Sequence, residues 1–140
     1  MGSTSATVRR ELTMDIVGRA DGQRLPVPVV LRYDTADPYA VCAEFHAGLG
    51  ETVVWTFARE LMAQGLGSPA GEGDVRIWPS ESHVNDGVLI ALLSTDGAAL
   101  VKAATSEVVE FLSHSYALCP SGEESTLIDL DAEVQLLLDS

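Results

Sequence analysis

The sequence predicts an antiparallel α+β domain, with about seven to eight mostly antiparallel strands and two to three helices. Three observations carry that reading. Apolar residues recur at alternate positions through most of the first hundred residues, the period of half-buried strands. The links between these segments are too short for the crossovers that parallel strands need, so neighbouring strands must run antiparallel. The apolar spacing then changes to three and four residues near residue 60 and again beyond residue 105, where helices are expected. With 140 residues, 46% of them hydrophobic, the chain suits one core and one domain, 1–140, with residues 1–7 expected to form a flexible N-terminus.

In Val8 to Val17, Leu12, Met14 and Ile16 alternate with Glu11, Thr13 and Asp15, which predicts the first strand; Asp21-Gly22 marks a hairpin turn between Gly18 and Arg24. Leu25, Val27, Val29, Leu31 and Tyr33 share one face of a second strand. Pro26 and Pro28 lack an N–H, which places that strand partly at an edge. After a turn at Asp34 to Pro38, Tyr39, Val41, Ala43 and Phe45 form the inner face of a third strand, opposite Cys42, Glu44 and His46. A Gly48 to Gly50 turn leads to a fourth, Glu51 to Thr56, with Val53 and Trp55 on one face. Phe57 with Leu61, and Ala58 with Met62, are four apart and open a short helix that Gly65 and Gly67 stop.

Three further strands are expected at Asp74 to Trp78, Gly87 to Leu93 and Ala98 to Ala103. Thr105 or Ser106 is placed to cap a second helix, with Val108, Val109, Phe111, Leu112 and Tyr116 as its buried stripe and Cys119 to Gly122 as its end. A third helix fits from about Asp129, where Leu130, Val134, Leu137 and Leu138 recur at helical spacing against Asp131, Glu133 and Asp139.

Eight basic residues against 21 acidic ones leave a formal charge of −13. It is uneven: +1 over Met1 to Thr35, −6 over Ala36 to Ala104 and −8 over Thr105 to Ser140. Such a field repels phosphate backbones and argues against sequence-independent nucleic-acid binding. It also disfavours bare anionic lipid, so any membrane contact is expected to be indirect. No stretch approaches the roughly 18 apolar residues of a membrane span, and the polar start lacks a signal-peptide core, so a cytoplasmic location is expected.

Catalytic chemistry finds no support. His46, His83 and His114 form no ligand pair, the glycine-rich run Gly65 to Gly73 lacks the Lys and Ser/Thr of a phosphate loop, and no nucleophile elbow occurs. No enzyme activity, metal or cofactor is expected. Cys42 and Cys119 read as small buried hydrophobes. Trp55 shares a face with Val53 and Phe57 and belongs to the core. Trp78 falls with Arg76 on the opposite face of its strand, an aromatic and an arginine suited to anchoring a partner. The strand Val88 to Leu93 is apolar on both faces, which marks Leu89 and Leu93 as contacts of a homo-oligomer. Arg9 and Arg10 begin an arginine-rich start, with Arg19, Arg24 and Arg32, that either receives an acidic peptide or neutralises neighbouring carboxylates.

Four segments, RYDTADPYAV from Arg32, WTFAREL from Trp55, SPAGEGDVRIWPS from Ser68 and IDLDAEV from Ile128, occur together and in order. In these the chain resembles the SsgA-like proteins of sporulating actinobacteria, over most of Leu25 to Leu138. The resemblance implies a Whirly-like fold and subunits that associate as trimers. It also implies a role in sporulation-specific cell division: marking septum sites, working with SsgA-type proteins and recruiting or tethering FtsZ. An alternative from the same fold analogy is a single-stranded nucleic-acid-binding protein, which the charge opposes.

Overall fold

Two antiparallel meanders share one curled seven-stranded sheet in the computed structural model, which describes residues 6–17, 22–46, 48, 50–71, 73–80, 87–95 and 97–127. The first meander comprises β1 (Thr7–Val17), β2 (Leu25–Asp34), β3 (Ala40–His46) and β4 (Thr52–Ala58). Helix α1 (Arg59–Gly65) leads to the second, β5 (Val75–Pro79), β6 (Gly87–Ser94) and β7 (Gly97–Ala104), and α2 (Thr105–Leu118) follows. A helical turn occupies 124–127. The strand order is β4-β3-β2-β1-β7-β6-β5, so each meander keeps its sequence order and they meet where β1 pairs β7.

That seam is short. It runs only from Leu100 opposite Val17 to Lys102 opposite Asp15, and shortly beyond Lys102 β7 gives way to α2. The first half of β1 therefore pairs with β2 alone, and α2 lies against β1 beside it. Strand alternation sends Val8, Arg10, Leu12, Met14 and Ile16 to the inner, helix-bearing face and Arg9, Glu11, Thr13 and Asp15 to the outer one. Met14, Val29, Leu31, Tyr33, Val41, Ala43, Ile77, Val88, Ile90 and Val101 are buried on that inner face with Val108, Phe111 and Leu112 of α2. Val53 and Trp55 of β4 line the same cavity as Leu92 and Ala99 from the far side of the sheet, so the sheet curls into a half-barrel.

Several expectations shift by a residue or a face. Phe57 stays in β4, paired with Val41, and α1 begins at Arg59. Ala104 rather than Thr105 or Ser106 precedes α2, without a side-chain cap, and Val109 is exposed. Tyr39 lies just outside β3 and is half exposed. β2 meets β3 only from Val29 to Arg32, so the segment holding Pro26 and Pro28 pairs with β1 alone, as the missing N–H groups require. Within the expected flexible N-terminus, the Ala6 N–H donates to Thr35 Oγ1 and Thr7 already opens β1. The expected third helix from Asp129, the turn residues 18–21 and His83 lie outside the described residues.

Arginines from the sheet and from α1 hold the two ends of α2. Near its start, Arg10 Nε donates to Glu107 at 2.7 Å and its Nη2 to Glu110 at 3.0 Å. Near its end sits Arg59, only 1% exposed. Its guanidinium lies between the rings of Tyr33 and Tyr116, 4.6 and 4.4 Å from their centroids. It donates to the Ser115 carbonyl at 3.2 Å and to Glu124 Oε2 at 3.1 Å. A cation is favoured there twice over, by the ring faces and by the negative end of the helix. The Glu124 carboxyl is held below its ordinary range, first by its own backbone N–H and then by Arg59. Burial pushes the Tyr33 phenol up, which keeps it a donor to the Pro38 carbonyl at 3.0 Å.

Gly65 ends α1 because nothing larger fits: a Cβ there would sit 2.6 Å from the Cβ of Ile77. Gly65→Ala is expected to cost about 1–3 kcal/mol in urea unfolding. Gly67→Ala, with open space around it, is expected to leave the midpoint unchanged. Arg10→Glu sets a third carboxylate beside Glu107 and Glu110 and is expected to lower the thermal midpoint. Arg9→Glu, facing solvent on the other side of the strand, is expected to leave it where it is.

Candidate interaction surface

The outer face of the sheet divides into a charged half and an apolar half. Over β1 to β3 it carries Arg9 with Glu11 at 2.8 Å and Arg32 with Glu44 at 2.7 Å. Cys42 lies beside Arg32, whose Nη2 is 3.7 Å from its sulfur, so this cysteine is half-buried on the outer face and not in the core. Cys119 is buried as expected. His46 and His114 are exposed. These arginines pair with carboxylates in their own sheet, the neutralising arrangement among the two readings of the arginine-rich start. Arg10 stands apart from Arg9 on the inner face, tied to α2.

Over β5 to β7 the outer face changes character. Interstrand register sets Trp78 opposite Leu89, Arg76 opposite Ala91 and Leu93 opposite Ala98. Ala91 is also opposite Leu100, and Leu100 is opposite Val17 of β1. Trp78 and Arg76, read as a partner anchor, thus fall on the same patch as Leu89 and Leu93, read as oligomer contacts. The patch extends to Leu100 and Val17. Trp78, Leu89, Leu93, Leu100 and Val17 are half-buried, and Arg76 is exposed. A shallow groove of about 550 Å³ follows Val17, Trp78, Ala91, Leu93 and Leu100. A second, of about 270 Å³, continues past Leu89 and Lys102 towards Arg24. Arg76 and Lys102 frame the apolar ground with positive charge.

This face differs from the inner one in burial. The inner face of the same strands buries Val88, Ile90 and Leu92 completely or nearly so, so the leucines on the outer face are not needed for the core. Trp78 and its apolar neighbours thus share the outer face, with Arg76 and Lys102 at the margin. Among the described residues no group of three or more His, Cys, Asp or Glu side chains is placed to hold a metal. Among the same residues no helix is long and apolar enough to cross a membrane.

Known proteins resemble this chain along nearly its whole length. Residues 27–124 match the family described as Streptomyces sporulation and cell division protein, SsgA. Sporulation-specific cell division protein SsgB of Streptomyces coelicolor is 49% identical over 134 residues, 96% of this chain and 97% of that one. SsgB of Thermobifida fusca is 43% identical over 136 residues, 96% of each. A solved SsgB structure, described with mutations that correlate to longitudinal cell division during sporulation of Streptomyces coelicolor, superposes with a TM-score of 0.85. Its identity is 48%, and the match covers 91% of this chain and 99% of that one. The crystal structure of an SsgA-like sporulation-specific cell division protein from Thermobifida fusca gives a TM-score of 0.86 at 41% identity, covering 96% and 98%. On fold and sequence together, the chain belongs to the SsgA family of sporulation and cell division proteins, with relatives named SsgB among its near full-length matches.

Proposed function

We propose that this chain is a non-enzymatic, cytoplasmic protein of sporulation septa. In this reading it marks the division site and recruits or tethers FtsZ, in company with SsgA-type proteins. The observation that carries this reading is the patch around Trp78, Leu89 and Leu93: half a sheet face left apolar where the core does not require it. A protein that works by holding others together needs such a face. The same patch is the place where copies of the chain associate, as a trimer by the family resemblance, and the edge with Arg76 and Lys102 is where an acidic partner segment is received. The surplus of carboxylates from Thr105 onward repels anionic lipid, so closeness to the membrane comes through a partner.

Co-sedimentation with FtsZ polymers tests recruitment, with light scattering on the same samples reporting oligomer size. The unmodified protein is expected to scatter as an oligomer and to pellet with the polymers at modest salt. Leu93→Asp places an unpaired charge in a subunit contact, a penalty of several kcal/mol, and is expected to shift the oligomer towards monomer. Arg76→Glu is expected to leave oligomer size intact and weaken FtsZ association in a salt-sensitive way. A monodisperse monomer at micromolar concentration, or no enrichment of folded protein in the pellet, would contradict the proposal.

A further inference from the structure

The sheet has two edges, β5 and β4, and they are finished differently. Two bonds to β6 set the phase of the β5 ladder: the Leu93 N–H donates to the Asp74 carbonyl and the Ser80 N–H to the Gly87 carbonyl, both at 2.8 Å. Bonded pairs alternate along an antiparallel ladder, so Val75, Ile77 and Pro79 turn their backbone groups outward. There Ile77 and Ala70 exchange N–H to carbonyl bonds at 3.0 and 2.8 Å, and Pro79 has no N–H. Gly71 runs so close to β5 that a Cβ on it would meet the Val75 carbonyl at 2.5 Å. A proline and a covering loop are devices that keep a sheet edge from pairing.

β4 has neither. Its seven residues, TVVWTFA, include no Pro, no Gly and no charge, and among the described residues no strand or loop pairs with its far side. The Arg59 N–H donates to the Tyr39 carbonyl at 2.7 Å, one step beyond the pairing of Ala58 with Ala40. Val53, Trp55 and Phe57 therefore bond to β3, and the N–H and C=O groups of Thr52, Val54 and Thr56 point away from the sheet. All three residues are exposed, Val54 at 54%.

An open ladder of this kind accepts an extended chain, because its donors and acceptors recur at strand spacing. The neighbouring side chains set what that chain carries. On the outer face Val54 stands between Thr52 and Thr56; on the inner face Val53, 45% exposed, stands beside half-buried Trp55. The middle of the occupant is thus apolar or β-branched on both sides. Exposed carboxylates lie just beyond the two ends, Glu51 before β4 and Glu60 after it, in a chain of charge −13. Lys or Arg at the ends of the occupant would meet them. A second copy of β4 fails this requirement, since antiparallel pairing centred on Trp55 sets carboxylate towards carboxylate at both ends.

We infer that the free edge of β4 binds, as an eighth strand, an extended segment of a partner protein with an apolar, β-branched middle and basic ends. β4 and the Trp78 patch over β5 lie at opposite ends of the strand order, so this contact stands or falls separately from the one proposed there.

The probe is a fluorescein-labelled peptide, Lys-Val-Thr-Val-Thr-Val-Lys, titrated into the full chain by fluorescence anisotropy, with amide exchange of the protein followed by NMR. The peptide is expected to bind and to slow exchange most at Thr52, Val54 and Thr56. Val54→Pro removes an outward donor and leaves the bonds to β3 in place; it is expected to keep the circular dichroism and oligomer size and to weaken binding about tenfold or more. Val54→Lys, which sets a charge on the same edge without touching the backbone, is expected to weaken it likewise. Replacing both lysines of the peptide by glutamate is expected to lower its affinity. No binding of the lysine-ended peptide, equal binding by folded Val54→Pro and Val54→Lys, or slowed exchange confined to other strands would overturn the inference. A smaller oligomer in Val54→Lys would put a second copy on this edge and would also overturn it.

Discussion

Arg59 carries a full charge into the core, and the two helices and the end of the sheet are arranged around it. Burying a guanidinium costs several kcal/mol unless every side of it is engaged. Here the planar faces meet Tyr33 of β2 and Tyr116 of α2, and the edge meets the Ser115 carbonyl and Glu124. Its own backbone N–H donates to the Tyr39 carbonyl at 2.7 Å, just ahead of β3. One residue thereby fixes where β4 becomes α1, how far α2 runs over the sheet and where the turn after Cys119 lies. A leucine in its place could fill volume but could not define those positions, because only a cation has reason to face two rings and a helix C-terminus at once.

The curled sheet assigns different work to its two faces. The inner face is consumed by folding: it takes α2 and the apolar cluster. With the core satisfied there, the outer face is left to other uses, and its character is uneven. Near β1 to β3 the charges pair among themselves and give a solvated exterior. Near β5 to β7 the outer leucines and Trp78 have no such partners within the described residues. The proposed role would draw on that asymmetry, since interface energy concentrates in aromatic and apolar anchors framed by charge.

Much of the architecture is legible in the sequence because period-two alternation and short links leave few options. The strand positions from Val75 to Ala104 follow from it almost residue for residue. The hidden features depend on register and on distance along the chain. Arg9 and Arg10 look like one basic pair, yet alternation sends one to water and the other to α2, a consequence visible in the pattern but obscured by grouping charges in blocks. Trp78 and Leu89 become neighbours only once β5 and β6 are in register. Arg59 gives no signal of its role at all: an arginine opening a short helix ordinarily faces solvent, and Tyr33, Ser115 and Glu124 come from separate parts of the chain.

The role given to Arg59 is tested most directly by equilibrium urea unfolding of Arg59→Met, which keeps an unbranched apolar stem and removes the charge. The account predicts a loss of about 3 kcal/mol, seen as a lower midpoint with an unchanged slope. A midpoint equal to that of the unmodified protein would contradict it, because the cation would then be a passenger in the core and not the contact that positions its surroundings.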